Sequence, residues 1–399
     1  MKVAILGGGP SGAFAAAQLA SSGVETVLFD EKLAWEKPCG GGLTYKAYEQ
    51  YPFLAEGDTP HKVICETVLS APKSKPVSLN LEKPIRIYSR YDLNGMLLDR
   101  AQRAGAQVEK TRILSMERAG ARWSLRTKHG AVDADYCIVA TGARNPMKNA
   151  GTELTPPDSM TALGYFVPGN RERIDVQFLP GFEGYIWVFP RCGHLSVGIC
   201  GKGAPASTMR AMLEQYMEQH ELRKEGATFY GHLLPSLETP SWNRNRVAGD
   251  GWIATGDAAG LVDPVTGEGL YYAVRSADLA AKAILSGPLE MASTAYRRLI
   301  HRDFVHDLEF GSRLSHRVFH GKFLGGSVTS RMVQFTRLSP KFREVMQDLF
   351  AGTQPYTELK RRLVRNISWS LVEIVCNLGF GRLIPGADTR VPPDPVLGA

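Results

Sequence analysis

The sequence predicts a mixed fold, α/β plus α+β, with a discontinuous parallel-sheet domain, an antiparallel-sheet domain and a helical C-terminal region. Three observations predict it. Residues 1–22 have the pattern of a buried strand, a glycine turn and an Ala-rich helix, the opening unit of a parallel sheet. Alternating apolar residues recur between 160 and 200, as in antiparallel strands. A short buried strand at 251–254 then returns to the first domain, ahead of a mostly helical stretch.

The remaining elements follow in chain order. A second strand at 25–29 precedes a glycine-rich loop, and the leucines of 92–104 recur at helical spacings of three and four. Buried or alternating runs predict the later strands, and amphipathic spacing predicts the later helices. The strands are a meander at 107–117, 121–128 and 131–140, followed by strands at 163–167, 174–179, 185–189 and 195–199. The helices are one at 207–222 and one that follows Gly269 and ends at about 285. Residues 285–375 are predicted to be mostly helical, and residues 385–399 to be an unstructured end.

These elements group into three predicted units. The first is a discontinuous nucleotide-binding domain of residues 1–60, 85–158 and 242–288, and the second is an antiparallel-sheet substrate domain of residues 61–84 and 159–241. The helical C-terminal region covers residues 289–399.

Composition and charge exclude several classes of protein. Of the 399 residues, 44% are hydrophobic and 22% are charged, which is ordinary for a globular chain and excludes a disordered or multi-span one. The net charge of +7 is local: residues 1–290 hold 31 basic and 31 acidic side chains, and residues 291–399 hold 16 and 9. A local surplus favours a partner surface in the last quarter of the chain over nucleic-acid binding.

Six scattered cysteines form neither a CxxC pair nor a zinc-type spacing, so we expect free thiols in a reducing compartment and no metal site. The chain has no uninterrupted apolar run long enough to span a membrane. We therefore expect a cytoplasmic protein, soluble or peripheral on the inner face of the membrane.

A phosphate-binding turn follows the first strand. In Gly7-x-Gly9-x-x-Gly12, the first glycine permits the tight turn, the second admits a pyrophosphate and the third lets the helix pack on the strand. The N-terminus of the helix faces the negative charge. Asp30, which ends the second strand, is spaced to accept hydrogen bonds from a ribose. The sequence therefore predicts a dinucleotide site.

The late motif Gly256-Asp257-Ala-Ala-Gly260 decides which dinucleotide is expected. A carboxylate at this strand end can hold a polyol hydroxyl, which FAD has in its ribityl chain and NAD lacks. The turn from Val262 to Gly269 then opens a helix, whose N-terminus would stabilise negative charge on a reduced flavin. The first domain is thus predicted to be a Rossmann-like FAD-binding domain.

Together these motifs resemble the FAD-binding fold of the para-hydroxybenzoate hydroxylase type. Arg90, in Arg-x-x-Leu-Asn94, matches an FAD-contacting arginine of that fold, although Asn94 stands where an Asp is usual. Lys37-Pro-Cys39-Gly-Gly-Gly42 and Gly184-Tyr-Ile-Trp187-Val-Phe-Pro190, with Val-Gly198-Ile beyond, are more specific. They resemble the geranylgeranyl reductase family of FAD-dependent oxidoreductases over roughly residues 1–285.

The resemblance implies that reduced FAD delivers a hydride to an isoprenoid double bond on a lipid, quinone or pigment precursor, and that a proton is added to the other carbon. Cys39 is either the proton source, part of the wall or a small buried residue. The alternating Tyr185, Trp187 and Phe189 line a prenyl tunnel or form plain core. Cys39, Tyr185 and Trp187 are therefore the candidate catalytic residues. The candidate cofactor-binding residues are Gly7, Gly9, Pro10, Ser11, Gly12, Asp30, Glu31, Lys32, Cys39, Gly40, Gly41, Arg90, Thr141, Gly142, Gly256, Asp257, Gly267 and Gly269.

The electron donor stays open. Hydroxylases of this fold usually carry an Asp-Gly motif that serves both FAD and NADPH, and this chain has Thr141-Gly142 in that segment. No second GxGxxG predicts a separate nicotinamide domain. We expect either NADPH or a reduced ferredoxin-type protein as donor.

Two other functions stay open. One is a flavin-dependent monooxygenase or halogenase acting on a hydrophobic substrate, with Lys73, Lys75 or Lys83 as the halogenating lysine. The other is a flavoprotein that binds membrane and a redox partner without turning over a small molecule.

A basic segment begins at Lys360 and continues through Arg365 into an apolar stretch from Trp369 to Phe380. It is typical either of a peripheral membrane contact or of a helix docked on its own domain. The expected partners are therefore a prenylated substrate, a membrane surface and an electron-donor protein, and no nucleic acid.

Overall fold

The computed structural model describes residues 1–179, 181–362 and 365. Within these residues the chain forms nineteen strands and ten α-helices. The strands are β1 Lys2–Leu6, β2 Glu25–Phe29, β3 Gly42–Leu43, β4 His61–Ser70, β5 Val77–Tyr88, β6 Gln107–Glu109, β7 Ser115–Ala119, β8 Arg122–Thr127, β9 Gly130–Ala134, β10 Tyr136–Val139, β11 Ser159–Pro168, β12 Ile174–Phe178, β13 Glu183–Pro190, β14 His194–Lys202, β15 Thr228–Pro235, β16 Ala248–Gly249, β17 Trp252–Ala254, β18 Lys322–Phe323 and β19 Gly326–Ser327. The helices are α1 Pro10–Ser21, α2 Tyr45–Gln50, α3 Arg90–Arg103, α4 Ala206–Gln219, α5 Thr239–Trp242, α6 Leu270–Leu285, α7 Ala292–Ile300, α8 His306–His320, α9 Val328–Leu338 and α10 Pro340–Ala351.

The first sheet has the order β16-β17-β10-β1-β2-β6 and is parallel except for the β16–β17 pair. Its central strand β1 is buried from Val3 to Leu6, as expected for a parallel sheet covered on both faces. Helix α1 packs between α3 and α6. The carboxyl ends of β1 and β17 therefore meet at one edge, where ligands bind in open α/β sheets.

The second sheet has the order β15-β11-β14-β13-β12-β4-β5-β3. All its pairs are antiparallel except β12 with β4. One face of β13 packs Ile186 and Val188 into a core with α4, and the other carries Tyr185, Trp187 and Phe189. The two sets lie on opposite faces because successive side chains of a strand point to opposite sides of the sheet.

The C-terminal helices α8, α9 and α10 cover the β5 and β12 end of the second sheet. Phe319, Val333 and Met346 are buried there with sheet residues such as Leu79 and Val176. The predicted fold class is confirmed, and the helical C-terminal region is an integral layer of the structure.

Two details differ from the prediction. The meander predicted over 107–140 merges elements of two sheets: β7, β8 and β9 form a separate three-stranded sheet, whereas β6 and β10 join the parallel sheet. Their partners β1 and β2 are distant in sequence, so local alternation could not reveal the pairing. The predicted boundary after residue 84 falls inside β5, which continues to Tyr88.

The cysteines of the described part of the chain are all free thiols, and Cys376 lies outside it. Within the described residues, no helix combines the length and apolar character needed to cross a bilayer.

Candidate functional site

A large cavity lies where the first sheet, the second sheet and the C-terminal helices meet. At one end it is lined by the glycine turn and by Asp257. In its middle lie the Cys39 loop and the aromatic face of β13. Its far end is lined by apolar side chains of β5, β12 and α8–α10, namely Ile85, Val176, Phe178, Val318, Met332, Met346, Leu349 and Phe350. The cavity can therefore hold a polar cofactor at one end and a long apolar group at the other.

The glycine turn has the geometry that a bound pyrophosphate requires. A Cβ on Gly7 would lie 2.3 Å from the Ala140 carbonyl oxygen, and a Cβ on Gly12 would lie 1.9 Å from that of Gly7. A Cβ on Gly9 would meet nothing within 4 Å. Gly9 lines the cavity at the N-terminus of α1, together with Pro10 and Ser11. Gly7 and Gly12 thus shape the backbone, and Gly9 leaves open room in front of the helix N-terminus.

Asp30 supports the glycine turn directly. One carboxylate oxygen accepts the N–H of Gly8 at 2.7 Å, and the other accepts those of Lys32 and Leu33. The next two side chains point elsewhere, because Glu31 pairs with Arg112 and Lys32 lies 4.0 Å from the ring centroid of Trp35. Asp30, Glu31 and Lys32 are not among the residues that line the cavity.

The loop from Cys39 to Gly42 is packed tightly between the two sheets. Gly41 has φ +84°, and a Cβ there would lie 2.1 Å from the Tyr88 carbonyl oxygen. Hypothetical Cβ atoms on Gly40 and Gly42 would lie 3.2 and 3.1 Å from the Phe189 ring. Close backbone approach therefore accounts for the three glycines.

Buried groups hold Cys39 against the cavity. Its carbonyl oxygen accepts hydrogen bonds from Ser196, at 2.9 Å, and from the fully buried Arg191. Arg191 also pairs with Glu36. Burial by itself raises the pKa of the Cys39 thiol, but the guanidinium groups of Arg90 and Arg191 outweigh it and hold the pKa below its ordinary value. Cys39 is thus more acidic than an ordinary thiol.

The three aromatic side chains of β13 all line the cavity, and polar contacts fix two of them. The Tyr185 hydroxyl donates to the Thr266 carbonyl oxygen, and the Trp187 indole N–H lies 3.3 Å from the Ser196 hydroxyl. Gly198 makes room for the indole, since a Cβ there would lie 2.3 Å from it. These rings form a rigid, mostly apolar wall.

The loops after β17 complete the polar end. Asp257 lies 3.5 Å from the Lys37 ammonium group, and both line the cavity with Gly267 and Gly269. Gly256 has φ +58° and its N–H donates to the Ser276 hydroxyl. Gly142 lines the cavity, whereas the Thr141 hydroxyl donates to the Asn145 side chain.

Two buried nitrogens on the cavity wall have no hydrogen-bond partner among the described residues: Nε of Arg90 and Nε2 of His232. Burial, with Lys37 nearby, lowers the pKa of His232 to about 3, so its imidazole is neutral. Unpaired buried polar atoms are costly. With the open space at Gly9 and the Asp257 carboxylate, they fit a large polar cofactor such as FAD.

Sequence reasoning missed several residues of the cavity. His232 and the helices α8–α10 carry no motif. Glu268 lies inside a glycine-rich motif in which only the glycines are predicted to bind the cofactor. Arg191, which supports the Cys39 loop without lining the cavity, directly follows the aromatic motif. Conversely, Gly7, Gly12, Thr141 and Gly256 shape the surrounding backbone without lining the cavity.

The start of the C-terminal segment is tied to the cavity loop. The Tyr356 hydroxyl lies 2.7 Å from both oxygens of Asp263, whose Oδ1 also accepts the N–H groups of Val265 and Thr266. The Tyr356 N–H donates to Asp307. Tyr356 thus fixes the loop that carries Gly267 and Gly269.

Replacing Tyr356 with phenylalanine should lower the free energy of unfolding by about 1.5–3 kcal/mol, because a buried carboxylate loses a hydrogen-bond donor. The measurement is denaturant unfolding. Tyr271→Phe is the control, since the Tyr271 hydroxyl donates to the uncharged side chain of Gln50 and its loss should cost about 0.5–1.5 kcal/mol. Equal losses in the two variants would contradict a special role for the Asp263 contact.

The lowered pKa of Cys39 predicts its pattern of alkylation. A thiol reacts as its thiolate, so iodoacetamide should modify Cys39 with a midpoint below the ordinary pKa of 9.0. Cys200 lines the same cavity, but burial raises its pKa to about 12, so it should stay unmodified at neutral pH. Peptide mass spectrometry across a pH series, on protein with and without FAD, measures both. A Cys39 midpoint at or above 9.0 would contradict the role of the two arginines.

The basic segment is only partly described. Lys360 lies over the ring of Phe310, Arg361 pairs with Glu358, and Arg362 pairs with Asp348. These internal contacts agree with a docked segment. The apolar stretch from 369 to 380, on which the membrane hypothesis depends, lies outside the described residues.

Comparison with known proteins supports the same fold. Residues 1–158 match the family described as pyridine nucleotide-disulphide oxidoreductase. The chloroplastic geranylgeranyl diphosphate reductase of Nicotiana tabacum is 29% identical over 326 residues, which cover 72% of this chain and 66% of that protein. The chain thus aligns with about two thirds of this relative's length.

Two solved structures show how far the fold extends. A geranylgeranyl bacteriochlorophyll reductase-like protein of Thermoplasma acidophilum superposes with a TM-score of 0.74 at 22% identity, over 91% of this chain and 98% of that one. The flavin-dependent brominase Bmp2 gives a TM-score of 0.63 at 15% identity, over 93% and 100%. In both cases the likeness covers more than nine tenths of this chain and so extends well beyond the glycine-turn domain.

Proposed function

We propose that this chain, an FAD-dependent oxidoreductase related to the geranylgeranyl reductases, saturates carbon–carbon double bonds of an isoprenoid chain carried by a lipid, quinone or pigment precursor. The observation that carries this proposal is the shape of the cavity. It runs from the glycine turn, past Tyr185 and Trp187, to an end lined by aliphatic and aromatic side chains of β5, β12 and α8–α10. An isoprenoid chain matches such an end in polarity.

When bound, reduced FAD supplies the hydride for the double bond. Gly9, Ser11, Arg90 and Asp257 would hold the cofactor through the helix N-terminus, a guanidinium group and a carboxylate. The aromatic face of β13 would hold the alkene flat and keep water out, because an unactivated double bond offers no polar handle. Cys39 is one candidate for the proton that completes the addition.

The decisive experiment is anaerobic. The dithionite-reduced protein is incubated with a panel of geranylgeranyl lipids, quinones and pigment precursors, and the products are analysed by mass spectrometry. We expect the gain of two hydrogen atoms for each double bond reduced. No gain across the panel would overturn the proposal.

Oxygen-dependent halogenation is the weaker candidate. Lys73 and Lys75 are exposed in the β4–β5 turn, and Lys83 lies over the ring of Tyr45. None of the three belongs to the described lining of the cavity. Oxygen uptake with a halogenated or hydroxylated product would nevertheless favour that candidate over the reductase.

The electron donor and the membrane contact are parts of the proposal. NADPH or a reduced ferredoxin-type protein would reduce the flavin, and stopped-flow absorbance with each donor distinguishes them.

Liposome flotation of the full chain against one that ends near residue 356 tests peripheral binding through the basic segment. Equal recovery of both chains, with no dependence on anionic lipid, would remove the membrane from the proposal.

A further inference from the structure

A largely shielded carboxyl group lies in the cavity wall, and neither the glycine motif nor the Cys39 loop assigns it a role. Glu268 stands between Gly267 and Gly269, at the start of α6, and its side chain is 11% exposed. The Thr44 hydroxyl donates to its Oε1 at 2.6 Å, and the Lys46 ammonium lies 3.9 Å from its Oε2. Glu268 is therefore held in one orientation.

Lys46 joins this carboxyl group to the outside of the protein. Its side chain is 24% exposed, and its ammonium lies 4.0 Å from the Tyr271 ring centroid and 3.3 Å from the Tyr272 hydroxyl. Lys46 is thus partly open to solvent, while Glu268 itself lines the cavity whose far end is apolar. Glu268 therefore contacts both a partly exposed ammonium group and the cavity.

We propose that Glu268 is the general acid of the reaction, an inference that rests on the reductase function proposed above. The hydride for one carbon of the double bond would come from bound, two-electron-reduced FAD. The Oε–H bond of Glu268 breaks, and its proton forms the new C–H bond at the other carbon. The resulting carboxylate is stabilised by Lys46 and regains a proton from water beside it. The alkene has then gained one hydride and one proton, so atoms and charge balance.

The environments of the two acids in this cavity support the assignment. Burial raises the pKa of Glu268, the carboxylate of Asp263 adds to that effect, and Lys46 and Thr44 oppose it. Tyr271 and Tyr272 of α6, which lie beside Lys46, are further titratable neighbours. The pKa of Cys39 moves in the opposite direction. When the environment shifts the pKa values of two acids in opposite directions, the acid with the raised pKa is suited to keep its proton and then donate it.

The test compares Glu268→Gln and Glu268→Asp with the surface control Glu290→Gln in the FAD-loaded full chain. Glutamine keeps an oxygen for the Thr44 hydroxyl and has no acidic proton. We expect Glu268→Gln to bind FAD and accept electrons from dithionite normally. Oxidation of its reduced flavin by a geranylgeranyl lipid in a single turnover should slow by about 100- to 10,000-fold, the usual contribution of a general acid. Glu268→Asp should recover part of the rate, and Glu290→Gln should match the unmodified chain.

An infrared titration of the protein without substrate gives a second readout. The difference spectrum between the unmodified chain and Glu268→Gln should contain the carbonyl band of a protonated carboxyl group, with a midpoint above the ordinary glutamate pKa of 4.5. An ordinary midpoint, or an unchanged single-turnover rate in Glu268→Gln, would overturn the assignment and leave the reductase proposal standing. An unmodified chain that reduces no prenyl substrate would instead overturn the reductase proposal, and the assignment with it.

Discussion

Gly9→Ala should remove most of the affinity for FAD and leave the folded chain intact. The φ of Gly9 is −69°, which alanine adopts without strain, and a Cβ there would meet no protein atom within 4 Å. The methyl group would instead occupy the room in front of the α1 N-terminus, where the pyrophosphate of FAD must approach the backbone. Overpacking of this kind costs about 1–3 kcal/mol. We therefore expect binding to weaken by about 5- to 150-fold.

The neighbouring Gly12→Ala separates cofactor binding from folding. Its Cβ would lie 1.9 Å from the Gly7 carbonyl oxygen, so α1 could not pack on β1 without moving. We expect this variant to unfold at a markedly lower temperature even without FAD, whereas the FAD-free Gly9→Ala protein should unfold as the unmodified chain does. Thermal unfolding of the FAD-free proteins and titration with FAD measure the two effects. A Gly9→Ala protein with unchanged FAD affinity would place the pyrophosphate elsewhere.

The second large effect concerns the apolar end of the cavity. Met332 of α9 lines it and is only partly buried, so a tryptophan at this position would project into the space that the proposed isoprenoid chain occupies. We expect Met332→Trp to lower turnover of a geranylgeranyl substrate by about 5- to 150-fold, because the lost contacts and the forced rearrangement cost about 1–3 kcal/mol. A shorter geranyl substrate, which need not reach α9, should retain most of its turnover.

Met332→Leu is the matched control, because it nearly conserves volume. Both variants should keep the FAD content and unfolding temperature of the unmodified chain. Product analysis by mass spectrometry with each chain length gives the comparison. If Met332→Trp slowed the two substrates equally, the chain would have to lie in another part of the cavity.

Much of the candidate site could be predicted because its signals are local. The glycines of the turn are required because a side chain there would collide with backbone only a few residues away or in the adjoining strand. For example, a Cβ on Gly12 would collide with the carbonyl oxygen of Gly7. The alternation of Tyr185, Trp187 and Phe189 fixes them on one face of a strand whatever the strand pairs with. Two signals in the sequence therefore predicted that these three side chains line one cavity: the resemblance of the motif, and the alternation of side chains along a strand.

The parts that could not be predicted depend on contacts between distant segments. The pairing of β10 with β1 joins residues more than 130 positions apart, so the run at 136–139 was assigned to a local meander. Arg191 was missed because its neighbours Glu36 and Cys39 come from the first domain. Its burial, and its effect on the pKa of the Cys39 thiol, exist only after the two domains pack.

The glycine turn, the antiparallel strands and the aromatic strand could be predicted from the sequence alone, since these depend on spacing along the chain. The tertiary structure decided what the last quarter of the chain does. Helices α8–α10 line the apolar end of the cavity, and Tyr356 fixes the loop of Asp263. The tertiary structure also decided the surroundings of Glu268, because Thr44 and Lys46 reach it from more than 220 residues away. Burial and the pKa of a carboxyl group are set by neighbours in space, and no local pattern records them.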